Sequence, residues 1–384
     1  MKKGQLIQTE YQVFTDDQTG ATIHQLTRHP STSHGLFGVL YPSFRPGTGS
    51  DHPQVALVAH RNGFPQLCLF DFATKTAKVL TDDEGLQSFS PSFSPDREYL
   101  YFSTKQGHIR RVHVDSLVDE TVFAQPNGNL GDCSLSHDGR YVVTCCKQES
   151  AFGLLVVDIG DRSGRIVFET DLQILHPQFH PNDANLIVYA GNPNPRLWMI
   201  HRDGTNSQCL YKNAWNEFVV HESFLGDSDD LIFTVWPYRL VRFSIHERRL
   251  RTIADINAWH MASNREGTLI VSDTNHPDRG LLLIDPESGQ FETLCYPGAS
   301  CHGSQWKHDH PATAEAWTAR PDGEIDARVL SWMEMKVDTV YGPQWTHPHP
   351  SFDDSGRWIA YTSDVSGESQ VYVVQVPPHS VPGH

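Results

Sequence analysis

The stretch His349-Pro-Ser-Phe352, with the turn Asp353-Asp-Ser-Gly356 and the apolar run Trp358-Ile-Ala-Tyr361 after it, decides the fold. Similar units recur along the chain, with their anchors at Phe44, Phe93, Leu135, Phe179, Phe224, Ser263 and Phe352. Successive anchors are separated by 49, 42, 44, 45, 39 and 89 residues. A period of about 40 to 50 residues with several short strands per unit is typical of a β-propeller.

We therefore predict an all-β protein in which residues 1–384 form a single seven-bladed β-propeller domain. An N-terminal strand near Thr22–Leu26 would complete the last blade and close the ring, which removes an open sheet edge. The 89-residue gap contains the segment Gln305–Pro311, a near copy of Gln344–Pro350. We interpret residues 296–343 as an insertion, and an eighth blade is the alternative.

Composition narrows the class of function. The 384 residues include 28 Gly and 24 Pro and carry a net charge of −16. This charge argues against nucleic acid, which needs a basic surface, but it allows an anionic substrate in a local cationic pocket. The N-terminus has no apolar signal region, and no apolar run is long enough to cross a membrane. Seven cysteines without a Cys-x-x-Cys motif indicate a reducing cytoplasm.

The position three residues before each anchor carries the main functional signal. In a propeller, equivalent positions of different blades lie on a ring around the central axis, here at the start of the innermost strand. The residues at this position are Tyr41, Ser90, Asp132, His176, His221, His260 and His349. Four histidines in four consecutive units favour a shared site over the alternative of four unrelated structural histidines.

A metal centre is the chemistry that these residues suggest. His347 and His349 are two positions apart, so on an extended strand their side chains point to the same face. Together with His260 and Gln344 they would supply three nitrogen ligands and one oxygen ligand. Imidazole suits several transition metals, and an amide oxygen favours Mn²⁺ or Mg²⁺. The positions left open on the ion would be typical of a catalytic site.

These segments also carry a family resemblance. The run Gln344–Phe352, the units His221–Phe224 and His260–Asn264, and the stretch Arg196–Gly204 resemble the oligogalacturonate lyase family. The resemblance covers the chain from about Phe179 to the C-terminus. It implies a seven-bladed propeller that binds Mn²⁺, or another divalent cation, and cleaves short pectic oligouronides by β-elimination.

The resemblance also implies roles for individual residues. Gln344, His347, His349 and His260 match the metal ligands of the family, His221 matches its Brønsted base, and Arg196 matches its active-site arginine. His221 would then remove the C5 proton of a uronate whose carboxylate is bound by the ion and by Arg196. His176 has no family role, and we predict a substrate hydrogen bond for it.

Several alternatives stay open at this point. Arg196 could form a surface ion pair, and His221 could be a further ligand or a packed core residue. The enzyme could instead be a hydrolase or act on a different uronic-acid oligosaccharide, and a TolB-like propeller that only binds is the alternative outside enzymes. No Gly-x-Ser-x-Gly motif occurs, which argues against a serine peptidase. The expected partner is an acidic oligosaccharide, and the sequence does not indicate an oligomeric state.

Overall fold

A computed structural model describes most of the chain, namely residues 1–37, 42–47, 52–125, 128–148, 151–191, 195–214, 217–275, 277–300 and 346–378. Within these ranges the chain forms seven antiparallel sheets and no helix, so no described segment is a helix that could cross a membrane. The prediction of an all-β, seven-bladed propeller is confirmed. The motif copy at 305–311 and the ligand Gln344 lie outside the described residues, so the insertion stays a prediction.

Three short strands precede the blades: β1 (Leu6–Gln8), β2 (Gln12–Thr15) and β3 (Thr22–Gln25). Blade 1 contains β4 (Ser33–Gly35), β5 (Phe44–Arg45), β6 (Gln54–Ala59), β7 (Gln66–Asp71) and β8 (Thr76–Val79). Blade 2 contains β9 (Ser92–Phe93), β10 (Tyr99–Ser103), β11 (His108–His113) and β12 (Asp119–Ala124). Blade 3 contains β13 (Asn129–Leu130), β14 (Ser134–Leu135), β15 (Tyr141–Gln148), β16 (Ala151–Asp158) and β17 (Ser163–Thr170).

The later blades have the same order from the axis outward. Blade 4 contains β18 (Ile174–His180), β19 (Asp183–Gly191), β20 (Leu197–His201) and β21 (Gln208–Tyr211). Blade 5 contains β22 (Phe218–Phe224), β23 (Asp230–Trp236), β24 (Arg239–Ser244) and β25 (Arg249–Ala254). Blade 6 contains β26 (Ala258–Ser263), β27 (Ile270–Thr274), β28 (Leu281–Ile284) and β29 (Phe291–Cys295). Blade 7 contains β30 (Ser351–Phe352), β31 (Trp358–Ser363) and β32 (Gln370–Gln375).

The N-terminus closes the ring. Strand β3 pairs with β32 in a register that places Ile23 opposite Val374, and β2 pairs with β3, so blade 7 combines both ends of the chain. This confirms the predicted closing strand. Strand β1 adds to the outer strand β8 of blade 1, and this pairing was not predicted.

The core lies between the faces of neighbouring blades. One cluster joins Val188 and Leu197 of blade 4 to Phe224, Phe233 and Phe243 of blade 5. The anchor residues of the repeat belong to this layer, since the phenylalanines at 44, 93, 179, 224 and 352 are all buried. Apolar burial between twisted sheets therefore explains the phenylalanine at five of the seven anchor positions.

We predict that the closing strand contributes substantially to stability. Ile23 is 1% exposed and packs in one cluster with Tyr361, Tyr372 and Val374. Truncating Ile23 to Ala should lower the free energy of unfolding by about 2–5 kcal/mol, because a cavity forms in a packed core. The matched control is Val13→Ala on β2, where the side chain is 50% exposed. Urea denaturation measures both, and equal stability of the two variants would contradict the prediction.

Candidate active site

The histidines of the ring lie at irregular points of the innermost strands. The pairing register shifts between Leu175 and Gln178 in β18, between Val220 and Ser223 in β22, and between Ala258 and Met261 in β26. His176, His221 and His260 each lie inside one of these shifts. The sequence predicted them at the start of the strand, and the structure instead places them at bulges within it.

Backbone conformation explains the direction of these side chains. His176, His221 and His349 have φ angles of 49°, 60° and 45°, in the left-handed region that non-glycine residues seldom adopt. A β-bulge interrupts the alternation of side chains along a strand and can redirect one residue. We infer that the bulges turn the histidines of neighbouring blades toward one another near the axis.

The structure brings the predicted histidines together. The ring centroids of His260 and His349 are 3.6 Å apart, and those of His260 and His221 are 4.3 Å apart. His347 completes the group, with its ring centroid 5.4 Å from that of His260. The prediction that blade-equivalent positions converge is therefore confirmed for His221, His260 and His349.

Three of these histidines could hold a metal ion. His260, His347 and His349 are buried, and each offers one ligand atom within 4.8 Å of the other two. Burial, followed by the neighbouring imidazoles, holds the pKa of both His260 and His349 well below the usual value for histidine. Neutral imidazole is the form that coordinates a cation, so the donor set fits a transition-metal ion.

A buried acidic residue forms hydrogen bonds with the candidate ligand His260. Asp273 on β27 is 2% exposed, and its Oδ2 lies 2.9 Å from Nδ1 of His260. Its Oδ1 accepts a hydrogen bond from the backbone N–H of His260 at 2.6 Å. Burial raises the pKa of Asp273 to about 8. The sequence analysis missed this residue, although an aspartate directly after the strand-forming residues Leu269–Ser272 was a readable signal, because a buried carboxyl group needs partners.

Trp259 contacts both His221 and the candidate ligand His347. The Trp259 carbonyl oxygen lies 2.6 Å from Nδ1 of His221, and its indole N–H donates to Nδ1 of His347 at 3.0 Å. The first contact requires a proton on Nδ1 of His221, which leaves Nε2 with a lone pair. In the second contact Nδ1 of His347 accepts, so a neutral His347 carries its proton on Nε2. Coordination through that nitrogen then requires release of the proton or rotation of the ring.

Arg196 lies inside the protein, so the alternative of a surface ion pair is wrong. Its side chain is 7% exposed and pairs with the carboxylate of Glu222, which is 1% exposed. The Arg196 Nε–H donates to Oε1, and Nη2 donates to Oε2 at 3.2 Å. Glu222 directly follows His221, so one strand carries both the predicted base and the partner of the arginine.

His221 and His176 are close to Arg196 and to the candidate ligand His260. Burial lowers the pKa of His221 to about 3, with a smaller contribution from nearby His176. Burial, followed by the charge of Arg196, lowers the pKa of His176 to about 3. Phe37 stacks on His176 with ring centroids 5.8 Å apart. Both histidines are therefore neutral near pH 7 and able to accept a proton or a hydrogen bond.

A cavity lies further along the same innermost strands. It has a volume of about 460 Å³ and is lined by residues such as Gln178, Ser223 and Ser263, together with the turn residues Arg97 and Asp354. The lining includes none of the candidate ligands. Its two arginines are paired, since Arg97 donates to Asp354 at 2.7 Å and Arg265 donates to Asp227 at 2.8 Å. The chemistry therefore concentrates at the histidines and not in this cavity.

Known proteins are similar to this chain along its whole length. An oligogalacturonide lyase of Pectobacterium atrosepticum is 23% identical over 411 aligned positions, which cover 98% of this chain and 99% of the relative. An oligogalacturonate lyase of Dickeya dadantii is 23% identical over 421 positions, with the same coverage of 98% and 99%. No family model matches the sequence.

A solved structure extends the similarity to the fold. An oligogalacturonate lyase in complex with manganese superposes with a TM-score of 0.80 at 20% identity, covering 98% of this chain and 99% of that chain. The similarity includes blades 1–3, where the resemblance carried by the sequence motifs was weak. The resemblance predicted from the motifs is confirmed, and this chain is similar to the oligogalacturonate lyases over its full length, with a shared propeller fold.

Proposed function

We propose that this protein is a metal-dependent lyase that cleaves short acidic oligosaccharides, of the oligogalacturonate type, by β-elimination to unsaturated uronate products. The observation that carries the proposal is a buried trio of histidines, His260, His347 and His349, directly beside His221. A propeller that only binds sugars has no need of neutral, converging imidazoles next to a buried arginine. The names and full-length similarity of the relatives support the same activity.

We assign Mn²⁺, or another divalent cation, to His260, His347 and His349, with Gln344 as the predicted fourth ligand. The manganese complex of the similar structure supports this ion. A divalent cation at this place would withdraw charge from the uronate carboxylate and so make the adjacent C5 proton more acidic. The histidines contribute by remaining neutral and by leaving room for substrate oxygens.

His221 is the proposed base. Its Nδ1–H is held by the Trp259 carbonyl at 2.6 Å, so the lone pair on Nε2 is available for the C5 proton. Removal of that proton leaves the electron pair of the C5–H bond to form the double bond between C4 and C5. The bond from C4 to the glycosidic oxygen breaks, and this oxygen takes a proton from water or from an acid still to be identified.

Arg196 is the proposed partner of a substrate carboxylate. Glu222 occupies Nε and one hydrogen of Nη2, which fixes the plane of the guanidinium group. The end formed by Nη1 and Nη2 remains for a uronate, in the paired geometry that guanidinium and carboxylate groups favour. His176, close to Arg196, is proposed to donate or accept a substrate hydrogen bond. A cytoplasmic location, inferred from the cysteines, stays a prediction.

The first prediction from the proposed function concerns the lyase activity. Incubation with a panel of oligouronides should produce an ultraviolet absorbance rise, because elimination leaves a conjugated, unsaturated uronate. Thorough chelation should abolish the rise, and added Mn²⁺ should restore it. Absence of a rise on every uronide would leave the binding-only propeller as the better description. A rise that persists after chelation would keep the elimination but remove the metal from it.

The second prediction separates the base from the ligands. Truncating His221 to Ala should lower kcat by about 10²–10⁴, the usual contribution of a general base, while Mn²⁺ affinity stays unchanged. The matched control is His246→Ala, since the His246 side chain is 76% exposed. Steady-state kinetics and calorimetric Mn²⁺ titration measure the two properties. Loss of Mn²⁺ binding in the His221 variant would make this residue a ligand instead.

The third prediction concerns the ligand set. Replacing His260 by Ala should weaken Mn²⁺ binding by at least about 100-fold, because outer partners of ligands alone account for about 10–100-fold. The His246→Ala control should bind like the natural protein. Titration of metal-free protein gives the affinities, and undiminished binding by the His260 variant would place the ion elsewhere.

A further inference from the structure

Asp273 makes three contacts that converge on the candidate metal ligands. Its Oδ2 lies 2.9 Å from Nδ1 of His260 and 3.3 Å from the backbone nitrogen of His349, and its Oδ1 accepts from the backbone nitrogen of His260 at 2.6 Å. One carboxylate therefore contacts two residues that lie on different blades.

The contact with Nδ1 sets the tautomer of His260. When Asp273 is ionised, its carboxylate only accepts hydrogen bonds, so the proton of a neutral His260 then lies on Nδ1. Nε2 is then left with a lone pair for a cation. Without this partner the two neutral tautomers would compete, and the one protonated on Nε2 cannot coordinate through that atom.

The contact with the His349 backbone sets the distance between two ligand segments. His260 lies on β26 and His349 directly precedes β30, and these strands are neighbours at the axis. The His349 backbone adopts a φ of 45°, a conformation that its surroundings must hold in place. The hydrogen bond from its N–H to Asp273 is one contact that does so.

Ionised Asp273 has no basic side chain close by apart from His260. Among the described residues no lysine or arginine pairs with it, and His260 is its one ion-pair contact. A buried carboxylate with only N–H donors is costly, and a cation on the far side of the imidazole would offset that cost. The arrangement matches the carboxylate–histidine–metal geometry that orients ligands in metalloproteins.

We propose that Asp273 is the positioning residue of the metal centre: it holds His260 in the coordinating tautomer and ties it to the His349 segment of the next blade. The inference rests on the metal site of the proposed function. Asp273 itself does not touch the ion or the substrate.

The variant Asp273→Asn tests this role. The amide keeps the size of the side chain, but its NH₂ group can only donate, so its contact with Nδ1 of His260 favours the tautomer with the proton on Nε2, which cannot coordinate through that atom. We expect Mn²⁺ affinity to fall by about 10–100-fold, with the unfolding midpoint of the metal-free protein close to that of the natural protein. The control is Asp285→Asn on the same blade, an aspartate that caps an exposed turn, which should leave affinity unchanged. Natural affinity in the Asp273 variant would overturn the proposal.

A measurement on the natural protein covers the case in which the variant does not fold. Nitrogen NMR of metal-free protein labelled at its histidines distinguishes the two neutral tautomers, and the His260→Ala variant identifies the signal. At an alkaline pH above 8, where Asp273 is ionised, we expect the proton of His260 on Nδ1. A proton on Nε2 under these conditions would overturn the proposal.

Failure of this inference differs from failure of the proposed function. If the natural protein binds Mn²⁺ and the Asp273→Asn variant binds it equally well, Asp273 has no positioning role while the metal site stands. If the natural protein binds no Mn²⁺, the metal-dependent function is overturned, and the positioning role is overturned with it.

Discussion

The pairing of β3 with β32 is the constraint on which the rest of the structure depends. It joins the N-terminal segment to the last blade, with Ile23 opposite Val374, and so closes a ring of seven sheets. A closed ring leaves each blade packed between two neighbours, and the inner strands are then held at fixed angles around one axis. Residues at equivalent places in successive blades must converge. The histidine cluster is a consequence of this closure, because its members come from three successive blades and meet only at the axis.

Convergence alone would not produce a site, since a regular strand directs alternate side chains to opposite faces. The bulges in β18, β22 and β26 change that alternation at the histidines. The left-handed backbone of His176, His221 and His349 is less stable than extended backbone for a residue with a Cβ, by about 1–2 kcal/mol each. Packing between the blades offsets this strain. Strained residues concentrate at functional sites in proteins, and here they coincide with the proposed base and a proposed ligand.

The repeat made much of this architecture predictable. The spacing of the anchors predicted the number of blades, and the position three residues earlier predicted that His176, His221, His260 and His349 would meet. Both predictions depend on distances along the chain, which a sequence shows directly. The location of these histidines at bulges was not predicted, because a positive φ at a histidine has no signature in residue spacing.

The supporting residues were missed for a related reason. Asp273 reaches His260 across a strand pair, and Trp259 reaches His347 over a separation of 88 residues. Neither contact follows from the repeat, since each depends on which face of a strand a side chain occupies after a bulge. Glu222 was within the quoted motif, but its pairing with Arg196 needs blades 4 and 5 in register. The proposed ligands and the proposed base were visible as a pattern, whereas the residues that contact them from behind became visible only in three dimensions.

The two buried acids divide the site into two sides. Asp273 faces the candidate ligands, and Glu222 faces Arg196, with His221 between them. Each acid has its own cationic or polar partner, so neither carboxylate needs the proton of His221. The proposed base can therefore stay neutral between the candidate metal site on one side and the guanidinium on the other. A uronate carboxylate placed between the metal site and the guanidinium would be attracted by both. Its adjacent C5 proton would then face the uncharged imidazole. In the proposed mechanism each acid positions a neighbour and does not react, which is how a protein of net charge −16 would bind and activate an anionic sugar.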